Sequence, residues 1–170
     1  MYLSISSVFS AVVLAFAVSN VAATPLAEND SSLETRSNWH HNKNHRVTVG
    51  AYGKLRYDPQ YVHAKVGDFI EFEFHPKNHT VTESSFDNPC NRLVDSSGGQ
   101  IGFRTGFVPV PATQTSHFPT RKFKVTDDKP HWFYCGQTGH CPAGMVFAVN
   151  PPKHGNTFYK FQDKAVASGK

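Results

Sequence analysis

The chain has 170 residues and a formal net charge of +4, and its lysines and arginines are scattered rather than gathered in a block. A modest, scattered basic excess is typical of a solvated surface. The sequence also lacks a phosphate-binding glycine loop, zinc-finger spacing and any repeat of aromatic and basic residues. These features argue against a protein that binds nucleotides or nucleic acid.

The N-terminal residues 1–23 are typical of a secretory signal peptide. They carry no charged side chain, contain an apolar run from Val8 to Val18, and end in small residues at Ala22 and Ala23. The run is short for a membrane-spanning helix, and no hydrophobic segment closes the C-terminus. We therefore expect a secreted monomer, extracellular or associated with the cell wall, with no membrane span after the signal peptide is cleaved.

Residues 24–45 are polar and lack hydrophobic periodicity, which predicts a flexible arm. The arm contains the sequon Asn29-Asp30-Ser31, so Asn29 is a candidate site for an N-linked glycan. It also contains three histidines, His40, His41 and His45. A flexible arm gives these imidazoles no fixed geometry, so their clustering alone predicts no specific metal site.

The next residues read as short β-strands. In HRVTVG, Val47 and Val49 share one face, and in DFIEFEF the alternation places Ile70, Phe72 and Phe74 on an inward face. The runs KFKV, HWFYC and MVFAV are rich in aromatic and branched residues. No segment shows a helical stripe of ten or more residues. We therefore predict an all-β antiparallel sandwich or barrel over residues 46–151 and a C-terminal tail at 152–170.

The cysteine count is odd. Cys90, Cys135 and Cys141 all follow the predicted signal peptide, so one thiol is left without a partner in an oxidising compartment. That thiol must be buried, joined to another chain, or bound to a metal.

A thiolate, an imidazole and a thioether recur at five-residue intervals in the segment WFYCGQTGHCPAGM, as Cys135, His140 and Met145. With a second imidazole they form the ligand set of a mononuclear electron-transfer copper site. His79 is the best candidate for that imidazole; His75 remains possible, although it has the position of a residue that leaves a strand. Zinc is the chief rival metal, but a thioether is a poor zinc ligand.

If Cys135 binds a metal, the parity problem disappears because Cys90 and Cys141 can then form a disulfide. Such a bond would connect the loop that follows His79 to the loop that carries His140. In the chain-entropy model it would stabilise the fold by roughly 3 to 5 kcal/mol.

The runs VHAKVGDFIEFEF, HTVT and WFYCGQTGHCPAGMVFAVNP resemble the cupredoxin family, in particular phytocyanin-like domains and fungal extracellular cupredoxin-like proteins described as serine-rich. The resemblance covers about Arg46 to Pro151. It implies a Greek-key β-sandwich with copper at one end and a disulfide between Cys90 and Cys141. It also implies four copper ligands, His79, Cys135, His140 and Met145. A serine-rich C-terminal stalk is missing from this chain, and its N-terminal arm has no counterpart in the family pattern.

These features predict a type 1-like copper protein that transfers single electrons, and its partner is an unknown redox protein or a cell-wall component. Two alternatives remain: a cell-surface, structural or host-interaction protein that keeps the fold, and an extracellular copper scavenger aided by the histidines of the arm. No enzyme is expected, because a multicopper oxidase needs His-x-His pairs and the sequence has none. Asn78 also lies in a sequon, and we expect it to stay unmodified because a glycan there would collide with the end of the sandwich.

Overall fold

A computed structural model of the chain describes residues 42–169. The predicted signal peptide, the Asn29 sequon, His40 and His41 lie outside the described residues. The described part contains ten strands and one α-helix, with a 3-10 turn at Ala51–Gly53. The elements are β1 (Asn44–Val49), β2 (Tyr57–Asp58), β3 (Tyr61–Val62), β4 (Phe69–Phe74), β5 (Lys77–His79), β6 (Thr82–Ser84), β7 (Val108–Val110), β8 (Thr120–Lys124), β9 (His131–Tyr134), β10 (Val146–Val149) and α1 (Phe158–Ala167).

Two four-stranded sheets form a cupredoxin-like β-sandwich, as predicted. One sheet has the strand order β2-β1-β4-β8 and the other β3-β10-β9-β6, while β5 and β7 form a separate two-stranded ribbon. The expectation of a wholly antiparallel arrangement is wrong, because β1 pairs with β4 and β3 pairs with β10 in parallel. Alternation along a strand shows which face is buried but not in which direction the neighbouring strand runs. Both sheets are therefore mixed.

The core lies between the two sheets and follows the predicted alternation. In β4, Ile70, Phe72 and Phe74 are completely buried, whereas the intervening residues are partly exposed. From the opposite sheet, Phe147 packs against Phe72 with ring centroids 5.2 Å apart and against Phe133 at 5.9 Å. Interlocking aromatic rings of this kind contribute packing energy beyond the apolar area they bury. The core thus fixes the relative position of the two sheets that carry the site described below.

Strand β10 is buried on both faces. Phe147 and Val149 belong to the core between the sheets, whereas Val146 and Ala148 pack beneath α1 on the outer face. This double cover explains why MVFAV reads as a continuous apolar run and not as an alternating one.

The expectation that the chain forms no helix of ten or more residues is wrong, because α1 covers the outer face of the second sheet. Phe158, Phe161 and Ala165 form its buried face, and Phe161 packs on Trp132 with ring centroids 4.7 Å apart. Thr157 begins the helix, where its side chain accepts a hydrogen bond from the backbone N–H of Lys160. None of the helices in residues 42–169 is long and apolar enough to cross a membrane.

The predicted N-terminal boundary also shifts, because β1 begins at Asn44, inside the segment assigned to the flexible arm. His45 belongs to this strand, and its Nε2 lies 2.9 Å from Oδ2 of Asp68. That contact, with backbone hydrogen bonds from Lys43 and Lys65, lowers the pKa of Asp68 to about 2. His45 therefore has a structural partner, unlike a free histidine in an arm.

Candidate metal centre

The hairpin between β9 and β10 brings together three of the predicted ligands. Cys135 directly follows β9 and Met145 directly precedes β10, and the strand register pairs Tyr134 with Val146. The backbone N–H of Cys135 donates to the carbonyl of Met145 at 3.1 Å. The N–H of Met145 donates in turn to the carbonyl of His140 at 3.0 Å. The five-residue spacing seen in the sequence is thus closed into a loop by backbone hydrogen bonds.

The fourth predicted ligand comes from the separate ribbon. His79 ends β5, is only 1% exposed, and lies in a strand that pairs with β7. Its Nδ1 is 3.8 Å from the Cys135 sulfur, and the Nδ1 of His140 is 3.4 Å from the same sulfur. One donor atom from each of the three residues lies within 4.8 Å of the other two. Met145, fully buried, adds a thioether residue to this end of the sandwich.

Glycine at position 50 makes room for the His79 ring, a role that the sequence did not reveal. A Cβ atom at Gly50 would lie 2.2 Å from Nε2 of His79, and the residue has a φ of +75°. Both the close approach and the left-handed backbone require glycine. The only sequence signal was a glycine at the end of HRVTVG, which a turn explains equally well.

Burial keeps both imidazoles neutral. Burial, followed by the nearby His140, lowers the pKa of His79 from 6.5 to about 4. Burial and then Lys77 lower the pKa of His140. Neutral imidazoles have a free lone pair, which is the form that binds a metal.

The Cys135 thiol is buried and is the only free cysteine in residues 42–169. Burial raises its pKa, and a hydrogen bond from the Thr80 backbone acts in the opposite direction. A buried thiolate needs a compensating positive charge. Among the described residues, this sulfur contacts the Thr80 backbone N–H and the two imidazoles, so a bound cation is the group that would supply that charge.

Thr80 fixes the surroundings of the sulfur and is a second residue that sequence reasoning missed. Its backbone N–H lies 3.4 Å from Sγ of Cys135, and its Oγ1 accepts a hydrogen bond from the N–H of Gly136 at 2.7 Å. Its carbonyl accepts a hydrogen bond of 2.6 Å from the buried hydroxyl of Tyr57. These contacts hold the strand after His79 against the loop after Cys135.

A disulfide lies beside the cluster. Cys90 and Cys141 are joined with an S–S distance of 2.07 Å across a sequence separation of 51. Because Cys141 directly follows His140, the bond ties the ligand loop to the segment after β6. This pairing leaves Cys135 as the unpaired thiol.

The other histidines of residues 42–169 lie outside the cluster. His75 leaves β4 and contacts Glu73 through Nε2 at 3.1 Å, with its ring 4.1 Å from that of Phe118. His63, His117 and His154 are exposed. The Oδ1 atom of Asn78 is buried without a hydrogen-bond partner, and the absence of a glycan there stays a prediction.

The donor set fits copper on its chemistry. One thiolate sulfur and two imidazole nitrogens are the strong ligands of electron-transfer copper sites, which commonly add a weak axial thioether. One ring nitrogen of His79, Nε2, is buried and has no hydrogen-bond partner. The ring lies against Gly50, with Nδ1 directed toward the sulfur.

Comparison with known proteins found two curated relatives from the fungus Arthroderma benhamiae, whereas no protein-family model matches the chain. The chain is 28% identical to "Probable GPI-anchored cupredoxin-1" over 124 residues, which is 72% of this chain and 59% of the relative. It is 31% identical to "Extracellular serine-rich protein" over 119 residues, or 70% of this chain and 43% of the relative. The chain thus spans about half the length of the curated relatives it matches.

Solved structures with similarity to the chain include reduced auracyanin from Roseiflexus castenholzii and oxidised plastocyanin from Dryopteris crassirhizoma. The auracyanin is 14% identical with a TM-score of 0.44, and the match covers 64% of this chain and 95% of the auracyanin. The plastocyanin is 18% identical with a TM-score of 0.39, and the match covers 61% of this chain and 96% of the plastocyanin. The chain has a cupredoxin fold and is a distant homologue of the fungal GPI-anchored cupredoxin and extracellular serine-rich protein.

Proposed function

We propose that the chain binds one copper ion through His79, Cys135, His140 and Met145 and transfers single electrons. The observation that carries the proposal is the convergence of two neutral imidazoles and one buried thiol within 4.8 Å. When bound, copper would supply a metal that alternates between Cu(I) and Cu(II), both of which this mixed sulfur and nitrogen set can hold.

Each ligand residue has a separate role in the proposal. The Cys135 thiol loses its proton and provides the thiolate, while His79 and His140 each provide Nδ1. Met145 would provide a weaker thioether ligand, which would tune the reduction potential of the bound metal. Since burial raises the pKa of the Cys135 thiol, the metal-free protein retains this proton at neutral pH, and a bound copper ion would take its place.

The rigidity of the site supports electron transfer over a purely structural use of the metal. The Cys90–Cys141 bond and the Thr80 hydrogen bonds hold the ligand loops without help from a metal. A site that does not rearrange between oxidation states exchanges electrons with little reorganisation. His140 is the least buried of the three clustered residues, and we propose its ring edge as the point of contact for an unknown redox partner.

An extracellular location belongs to the same proposal. The predicted signal peptide and the disulfide between Cys90 and Cys141 both favour an oxidising compartment. One relative is named as GPI-anchored and the other as extracellular. We propose a secreted or cell-wall-associated electron carrier without catalytic activity of its own.

The test is a Cu(II) titration of the chain expressed from Thr24, followed by visible absorption. The proposal predicts one equivalent bound and an intense blue thiolate-to-copper band, which Cys135→Ser removes. His79→Ala should also remove the band, whereas His75→Ala should retain it because His75 lies outside the cluster.

A folded protein with an intact disulfide but no band would contradict the proposal and favour a structural or interaction role. Copper binding without a band, unchanged by Cys135→Ser, would indicate scavenging by other histidines.

A further inference from the structure

A cleft of about 170 Å³ lies on the flank of the metal centre. Two residues that hold the Cys135 sulfur in place, Thr80 and Gly136, line one side of it. Arg92, Gln100 and Arg104 also line it. No part of the proposed copper chemistry uses these three side chains.

The two arginines converge without a counter-charge. Nη1 of Arg92 and Nη1 of Arg104 donate to the same atom, Oε1 of Gln100, at 3.2 and 2.8 Å. Within residues 42–169, neither guanidinium forms an ion pair, whereas Arg46 and Arg56 each pair with a carboxylate. Two like charges directed at one neutral oxygen repel each other. An anion between them would relieve that repulsion and accept paired hydrogen bonds from the planar guanidinium groups.

Backbone contacts hold the segments that carry these three residues, and the side chains of Arg92 and Arg104 are exposed. Arg104 forms a β-bridge with Thr82, and Gln100 forms one with Val94. Arg92 lies two residues after the disulfide cysteine Cys90, and the next residue, Leu93, donates its N–H to the carbonyl of Glu83 at 2.9 Å. A site whose groups are already positioned loses less entropy when a ligand binds. The backbone positions of the two arginines are therefore fixed before a ligand binds, and Gln100 bridges their side chains.

Aromatic groups define the remainder of the cleft. Tyr134 is almost completely buried, whereas Phe107 is 58% exposed and so presents its ring to the solvent beside the cleft. The volume is below the usual range of about 300–1,000 Å³ for drug-sized ligands. It suits a single ring that bears one small charged group.

We propose that this cleft binds a small aromatic carboxylate. The carboxylate lies between Arg92 and Arg104, and the ring packs against Phe107 and Tyr134. Because the recognition is by charge and apolar contact, binding does not require copper.

The test uses metal-free protein from Thr24 with the disulfide intact, and benzoate as the probe. Two-dimensional amide NMR during the titration should show saturable shifts at Thr80 and Gly136, which line the cleft. Benzamide has the same shape without the charge and should bind at least about tenfold more weakly, because one charge-assisted hydrogen bond contributes that much. Acetate should also bind more weakly than benzoate, because it lacks the ring.

Arg92→Gln and Arg104→Gln should each weaken benzoate binding about tenfold or more. Arg121→Gln is the matched control, since Arg121 is exposed on β8, forms no ion pair among the described residues and does not line the cleft. It should leave the affinity unchanged.

Three results would overturn the proposal: no saturable shift with benzoate, equal binding of benzamide, or an equal loss in the Arg121 variant. All are measured without copper, so they are separate from success or failure of the copper site.

Discussion

Two groups of histidines in this sandwich have opposite electrostatic surroundings. At the metal centre, the buried imidazole of His79 faces another imidazole and a thiol, and its pKa falls to about 4. On β9, His131 lies between two carboxylates, with Nδ1 2.8 Å from Glu83 and Nε2 3.2 Å from Asp127. The Glu83 hydrogen bond leads the causes that raise the pKa of His131. Among the described residues His79 has no carboxylate partner, so its imidazole stays neutral and can bind a metal. His131 lies between two carboxylates, which favour its protonated form.

The largest expected effect is a change in copper affinity, which should occur when His79 is replaced but not when His131 is replaced. His79→Ala removes a direct ligand and should weaken copper binding by more than about a hundredfold, since even indirect supporting partners are worth about 10–100-fold. His131→Ala should leave copper affinity unchanged because its ring contacts carboxylates instead of the cluster. Competition with a chelator of known copper affinity measures both variants. A similar loss of copper affinity in both variants would mean that His79 and His131 do not differ in their relation to the metal.

The next largest effect concerns the stability that the disulfide beside the metal centre gives to the fold. The double variant Cys90→Ala/Cys141→Ala releases a loop with a sequence separation of 51. We expect the free energy of unfolding of the metal-free protein to fall by about 4 kcal/mol, because the unfolded chain gains entropy. Urea denaturation measures it. A loss below about 1 kcal/mol would show that the reduced, unfolded chain is already restricted there.

A smaller change in the free energy of unfolding is expected when the buried carboxylate beside His131 is replaced. Glu83 is buried, accepts a hydrogen bond from the N–H of Phe103 at 2.7 Å, and contacts His131. Glu83→Gln should lower the free energy of unfolding by about 1–3 kcal/mol. Glu71→Gln is the matched control, since it breaks a more exposed contact with Lys122 and should cost at most about 1 kcal/mol. Equal effects would mean that burial adds nothing at Glu83.

The smallest effect is a dependence on pH. Because the pKa of His131 is raised above 6.5 in the folded state, protonation stabilises the fold. This contribution is fully present below the unfolded pKa of about 6.5 and is lost as the pH rises through the folded pKa. The difference in free energy of unfolding between the wild type and His131→Gln should therefore shrink from pH 6 to pH 8. A difference that grows with pH would show that His131 is held neutral.

The metal centre was the more predictable of the two groups. Cys135, His140 and Met145 share one loop, so their spacing is visible in the sequence, and the odd cysteine count marked one thiol as special. The inward face of β4 was equally visible because strand periodicity records burial directly. His131 had no such signal, since Glu83 lies 48 residues away in the sequence. Asp127 is near in the sequence but lies in the loop before β9, where no pattern marks it as a partner.

Other features depend on tertiary contacts that a pattern does not record. Gly50 matters because of a ring that approaches from β5, and α1 is stabilised by packing on Trp132. Only three residues of that helix are buried, and the exposed Tyr159 obscures its apolar stripe. The Thr157 N-cap and the spacing of Phe158, Phe161 and Ala165 were the signals available.

X-ray absorption spectroscopy of the copper-loaded protein tests the central claim most directly. The ligand set predicts one short copper–sulfur bond and two imidazole nitrogens, with the sulfur contribution lost in Cys135→Ser. Copper surrounded only by nitrogen and oxygen, or by more than two imidazoles, would contradict the assignment of His79, Cys135 and His140 as its ligands.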